Sequence, residues 1–124
     1  MDKTKTIMLV DDSKVSRLML KAIVENQFPS WKVLEAENAA EALKISLYEN
    51  ENIDLITLDM NMPGTDGITI APQLKNNCTN AVIALLTGNV TDDVIEKAEK
   101  QGLLFIAKPI TEDKIIELVG SYAF

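Results

Sequence analysis

There is no histidine anywhere in the chain. That excludes a histidine-based catalytic triad, and it excludes a phosphohistidine formed on the chain itself. A single cysteine, Cys78, excludes an internal disulfide and makes a cytoplasmic setting the simplest expectation. Long apolar runs are missing too. Stretches such as Ala81-Val82-Ile83-Ala84-Leu85-Leu86 are far too short to cross a bilayer. Lys3 and Lys5 precede the apolar Ile7 to Val10, but Asp11-Asp12 end that run before it reaches signal-peptide length. Asn77-Cys78-Thr79 and Asn89-Val90-Thr91 have the spacing of glycosylation acceptors, which carries no meaning without secretion. Positive charge is scarce, with 12 Lys and Arg against 19 Asp and Glu and a net charge of −7. Nucleic acid and anionic membrane are therefore poor direct partners.

What is present suits one soluble domain spanning residues 1–124. Hydrophobic residues make up 47% of the 124 and charged residues 25%, enough for a real core. Short apolar runs alternate with amphipathic stretches, and neither repeats nor low-complexity linkers interrupt them. Strands are predicted at Ile7–Val10, Val33–Ala36, Asp54–Leu58, Ala81–Leu86 and Leu103–Ala107. Most are continuously apolar, as parallel strands covered on both faces are. The second contains Glu35 and reads as an edge strand.

Helix start signals lie between the strands. Ser13 caps a first helix whose expected core stripe is Val15, Leu18, Met19, Ala22 and Ile23. Leu20 and Val24 fall outside that stripe and are expected to form a docking ridge for a partner's helices. Asn38 and Glu41 resemble a capping box for a second helix that buries Ala42, Leu43 and Leu47. Pro72 sits inside the third helical stretch, so a late or distorted start is expected there. Thr91 or Asp92 caps a fourth helix with Val94, Ile95 and Ala98 inward, ending at Gly102. Thr111 caps the last, where Ile115, Ile116, Leu118, Val119 and Tyr122 span an arc of roughly 160°. Strict strand–helix alternation at this length predicts an α/β fold with a parallel five-stranded sheet and right-handed crossovers.

The chemistry gathers at the carboxyl ends of these strands. Asp11 and Asp12 follow the first, Asp59 ends the third, Thr87 ends the fourth and Lys108 ends the fifth. In a parallel sheet those ends share one edge, where ligands bind. Three carboxylates in one pocket raise each other's pKa, and a hard cation such as Mg2+ relieves the repulsion. Lys108 and Thr87 supply a positive charge and a hydroxyl donor suited to phosphoryl oxygens. The set fits in-line phosphoryl transfer onto a carboxylate.

With these residues in this order, the chain resembles a response-regulator receiver domain, close to the stand-alone chemotaxis type, from about Ile7 to Tyr122. The acidic pair, Asp59 followed by Met62-Pro63-Gly64-Thr65-Asp66-Gly67, the Thr87-Gly88 step and Lys108-Pro109 carry the resemblance. It implies a flavodoxin-like (βα)5 three-layer sandwich with strand order 2-1-3-4-5. It also implies that Asp59 takes a phosphoryl group from a sensor histidine kinase or histidine phosphotransfer protein. Asp11, Asp12, Asp59 and the backbone carbonyl of Asn61 would hold Mg2+, with Asp12 the favoured direct ligand of the acidic pair. Thr87 and Lys108 would bind phosphoryl oxygens, and Phe105 would act as the switch aromatic coupled to Thr87. The Lys108–Pro109 peptide is expected to be cis. Output would pass through the face formed by the fourth helix, fifth strand and fifth helix. Only 15 residues follow Pro109, so no DNA-binding domain is expected there.

Five positions depart from the pattern. The switch aromatic is Phe, not Tyr. Asn61 and Asn89 stand where the family tunes acyl-phosphate lifetime. Thr57 places a hydroxyl in an apolar strand, and Pro72 interrupts a helix. The rival from another class is a small Mg2+-dependent phosphatase of the haloacid-dehalogenase kind, which also uses a strand-end aspartate, a threonine and a lysine. Its general acid would fall at Asn61, an amide that cannot donate a proton in that role. The expected activity is therefore a phosphoacceptor switch that catalyses only its own phosphorylation and dephosphorylation.

Overall fold

A computed structural model describes residues 4–88 and 90–123. Its strands are β1 (Thr6–Val10), β2 (Lys32–Ala36), β3 (Leu55–Asp59), β4 (Val82–Thr87) and β5 (Leu104–Ala107). All neighbours pair in parallel, in the order β2-β1-β3-β4-β5. The helices are α1 (Lys14–Gln27), α2 (Ala39–Glu49), α3 (Gly67–Asn77), α4 (Asp92–Lys100) and α5 (Glu112–Gly120). This is the flavodoxin-like order expected from the resemblance, with β2 and its Glu35 at one edge.

The pleat divides the core. Ile7 and Leu9 of β1 face one way, with Leu20 and Val24 of α1 and Ile115, Leu118 and Val119 of α5. Met8 and Val10 face the other, with Ile70 and Leu74 of α3 and Val94 and Ala98 of α4. Period-two alternation within an unbroken apolar strand thus feeds two cores, giving helix–sheet–helix layers.

Five polar side chains start the five helices. Ser13, Asn38, Asp66, Thr91 and Thr111 each accept a hydrogen bond from the backbone N–H three residues on. At α4 the cap is Thr91, leaving Asp92 in the first turn. Gly102 follows α4 with φ +71°, the left-handed position where glycine is favoured.

Three expectations fail in the helices. The stripe of α1 is mis-phased: Val15, Leu18 and Met19 are exposed at 77%, 51% and 45%, whereas Leu20 and Val24 are buried at 2% and 0%. The predicted docking ridge is core, and most of the predicted core is surface. The cause is Arg17, which occupies an inward position that apolar patterning cannot recognise. On α2, Ala42 is buried and Leu43 half-buried, but Leu47 is exposed and Ser46 takes its inward place. The third helix neither starts late nor is distorted at its start. Asp66 Oδ1 caps it by accepting from Thr69 N at 2.8 Å and Thr69 Oγ at 2.7 Å. Pro72 sits inside it, on the exposed side. A proline there removes the N–H that would reach the carbonyl four residues back. That carbonyl, on Ile68, accepts instead from Gln101 Nε2 at 3.3 Å.

Candidate functional site

β3 delivers Asp59 to the carboxyl edge with its side chain almost fully buried. Its Oδ1 accepts from Lys108 Nζ at 3.0 Å and from Asn61 N at 3.3 Å. The chain then turns back in a hairpin the sequence reading did not foresee, Asn61–Met62 paired antiparallel with Thr65–Asp66. Gly64, with φ +86°, follows Pro63 at its tip, the positive φ a type II turn asks of that position. The hairpin returns Gly67 beneath the acidic strand end, where its N–H donates to Met60 O at 2.8 Å. A Cβ at Gly67 would lie 2.8 Å from Asp59 O and 2.9 Å from Leu85 Cδ1. Glycine is therefore required for the turn to close against Asp59.

β1 delivers the acidic pair. Asp11 is buried and Asp12 exposed, and Asp11 Oδ1 accepts from Ser13 N at 2.9 Å. One carboxylate oxygen each from Asp11, Asp12 and Asp59 lies within 4.8 Å of the others. Burial pushes the Asp11 carboxyl above its usual range. The Ser13 N–H opposes that, the Asp59 charge adds to it, Lys108 opposes it and Asp12 adds a little. The donor chemistry fits a hard divalent cation: the oxygens are all carboxylate, and one carries a burial cost that a cation offsets.

Arg17 is the residue that sequence reading missed. Its Nη1 donates to Asp11 O at 2.6 Å, and its Nε pairs with Glu35 Oε1 of β2 at 3.2 Å. The loop carrying the acidic pair is thereby tied to the edge strand. The available signal was an arginine set between apolar helical positions, six residues after Asp11.

Thr87 is fully buried at the end of β4, and its carbonyl accepts from Lys108 N at 2.8 Å. β5 lies beside it in register, Thr87 opposite Ala107 and Leu85 opposite Phe105. Phe105 is half-buried against the core of the α3–α4 side. The Lys108–Pro109 peptide is cis. Asp11, Asp12, Asp59, Asn61, Thr87 and Lys108 thus all stand at one sheet edge, and Phe105 lies two residues back along β5 from Ala107, the partner of Thr87. Asn89 lies outside the described residues.

The sequence profile of the response regulator receiver domain matches residues 7–120. The chain belongs to this family. It is 35% identical to the chemotaxis protein CheY of Bacillus subtilis, over 92% of this chain and 93% of that one. It is 32% identical to the sporulation initiation phosphotransferase F of the same species, over 94% and 91%. Among solved structures, the CheX–CheY–BeF3–Mg complex of Borrelia burgdorferi aligns with TM-score 0.84 at 26% identity, over 94% of this chain and 87% of that one. The receiver domain is the phosphoaccepting switch of two-component signalling, and membership sets aside the phosphatase reading. None of its described helices is long and apolar enough to cross a membrane.

Proposed function

We propose that Asp59 is the phosphoacceptor of a single receiver domain spanning residues 1–124, phosphorylated by the phosphohistidine of a sensor kinase or phosphotransfer protein. The observation that carries this reading is the buried Asp59 carboxylate held by Lys108 Nζ at 3.0 Å beside two further aspartates. A carboxylate oxygen of Asp59 attacks phosphorus, the P–N bond breaks, and the imidazole leaves and regains a proton. The product is an acyl phosphate. Asp11, Asp12, Asp59 and the Asn61 backbone carbonyl would hold Mg2+, which supplies charge neutralisation for the phosphoryl oxygens.

The other residues act on the charge that arrives. Lys108, paired with Asp59 before transfer, shifts its ammonium to a phosphoryl oxygen. The Thr87 hydroxyl donates to another, and that movement reaches Phe105 through the β4–β5 pairing. As Phe105 has no hydroxyl, the switch works by packing alone. Loss of the phosphoryl group is the domain's own hydrolysis by water. Asn61 and Asn89 tune its rate as neutral amides.

Two surfaces serve partners. Val15, Leu18 and Met19 form the exposed apolar face of α1, and Met19 continues into a small groove of about 140 Å3 with Asp11, Lys108, Pro109 and Ile110. An apolar helix face that runs into the acceptor pocket suits the helices of a phosphodonor. Output uses the α4–β5–α5 face. There an open groove of about 470 Å3 is lined by Leu104, Phe105, Ile106, Leu118 and Tyr122. The setting is cytoplasmic.

Incubation with acetyl phosphate and Mg2+ tests the reading. The expected result is a labile adduct of one phosphoryl group, absent in Asp59→Asn. No adduct from any phosphodonor overturns it, and so does rapid turnover of many phosphomonoesters.

A further inference from the structure

β5 is the last strand of the sheet, so among the described residues no further strand receives its outer carbonyls. The carbonyl of Ala107, its final residue, instead accepts from Lys114 Nζ at 2.7 Å. The same ammonium donates to Pro109 O at 3.0 Å. These two carbonyls bracket Lys108. On the other side, Lys108 N is fixed to Thr87 O at 2.8 Å. The short stretch between β5 and α5 is thus gripped from both flanks, with Lys108 between them.

The position of Lys114 needs a reason. It lies in the first turn of α5, behind Glu112 and Asp113, and its own N–H is capped by Thr111 Oγ at 3.3 Å. A lysine at a helix start opposes the macrodipole, which favours acidic residues there. Charged donors to carbonyls are stronger than neutral ones, and this one is half-buried. The helix start therefore carries an unfavourable charge in order to hold the preceding backbone.

We infer that Lys114 is a positioning residue for Lys108: its ammonium clamps the Ala107 and Pro109 carbonyls so that the Lys108 side chain meets Asp59. Where this concerns phosphorylation, it rests on the reading of Asp59 given above. Lys108 reaches Asp59 through a long flexible side chain, so its entropy cost falls when the backbone beneath it is fixed. With its backbone held, Lys108 needs to move only its ammonium, from Asp59 to the arriving phosphoryl oxygen.

The test is Lys114→Met in the full chain, read in two ways. In the unphosphorylated protein, amide hydrogen exchange is followed by NMR at Lys108, with the buried Leu85 amide as reference. The expected change is about tenfold faster exchange at Lys108, the factor one lost hydrogen bond carries, with Leu85 unchanged. In acetyl phosphate reactions the maximal rate of adduct formation falls several-fold while the half-saturating donor concentration holds. Lys114→Arg restores most of the rate, and Lys114→Met adds no further loss to Lys108→Ala. Unchanged exchange at Lys108 overturns the inference. So does a rise shared equally by Leu85, or an equal slowing in the Lys108→Ala background. If the wild-type protein takes no phosphoryl group, the Asp59 reading falls, while the exchange ratio still decides whether Lys114 holds the loop.

Discussion

Two helices of this receiver domain begin beside the same dipeptide, with opposite results. Asp92-Asp93 opens α4 behind the Thr91 cap, exposed in the first turn, where negative charge complements the helix dipole. Asp93 pairs with Lys97 at 3.2 Å, and Glu96 pairs with Lys100 at 3.1 Å. Asp11-Asp12 lies one step ahead of the Ser13 cap of α1. There Asp11 is buried, its backbone is tied to Arg17, and its carboxyl faces Asp59. The contrast continues along each helix, polar on the outer face of α4 and apolar on that of α1. Identical residues are local stabilisers in one place and a stressed site in the other. What separates them is the strand that delivers them, not the helix they precede.

The largest effect that would break this comparison concerns the phase of α1. Leu20→Lys places a charge at a position 2% exposed, and a loss of about 4 kcal/mol is expected in urea denaturation. Leu18→Lys, at a position 51% exposed, should change stability by no more than about 0.5 kcal/mol. It should nonetheless slow phosphotransfer from a phosphohistidine partner while leaving acetyl phosphate reactions unchanged. Equal stabilities for the two variants would mean that the outward face of α1 has been misassigned.

That phase marks where sequence reading stopped working. The strands and their edge were legible because continuous apolar runs between turn residues have few alternatives. So were α4 and α5, whose inward positions are apolar and whose caps are threonines. Asp11, Asp12, Asp59, Thr87 and Lys108 were legible because strand carboxyl ends converge in any parallel sheet, whereas Asn61 came only from the family resemblance. Arg17 was not, because an arginine among apolar helical positions is a weak signal until its partner on the edge strand, Glu35, is known. The same holds for Gly67, whose need for glycine comes from the Asp59 carbonyl. The uninterrupted α3 was hidden likewise, since the carbonyl Pro72 leaves unbonded is answered by Gln101 from the end of α4.

A smaller effect separates the two dipeptides by pH. The Asp11 carboxyl is raised in the fold, first by burial and then, against the Ser13 N–H, by Asp59. Between the unfolded value of 3.8 and the folded one, the native state holds a proton that the unfolded chain has lost. Stability therefore falls as pH rises through that window, and the penalty is complete above it. Asp11→Asn removes the penalty and keeps an oxygen to accept from Ser13 N. Without divalent metal it should raise the urea midpoint at pH 7. The gain should close as pH falls toward 3.8. Added Mg2+ should reverse the order, stabilising the wild type more than the variant. A gain that does not vary with pH would mean that burial of the Asp11 charge is not its source.

The smallest effect has the opposite sign. Asp93→Asn removes a first-turn negative charge and its partner for Lys97, both largely exposed. Loss of the dipole and pair contributions should lower stability by about 0.5 kcal/mol at neutral pH. Because solvent screens both, the loss should shrink toward nothing in 1 M salt, where the Debye length is about 3 Å. Phosphorylation and Mg2+ binding should be untouched, since Asp93 stands outside the aspartate cluster. The opposed signs of Asp11→Asn and Asp93→Asn in one protein and one buffer isolate burial as the variable. A stabilising Asp93→Asn would mean that the crowding of 19 acidic residues, and not the environment of each aspartate, governs both.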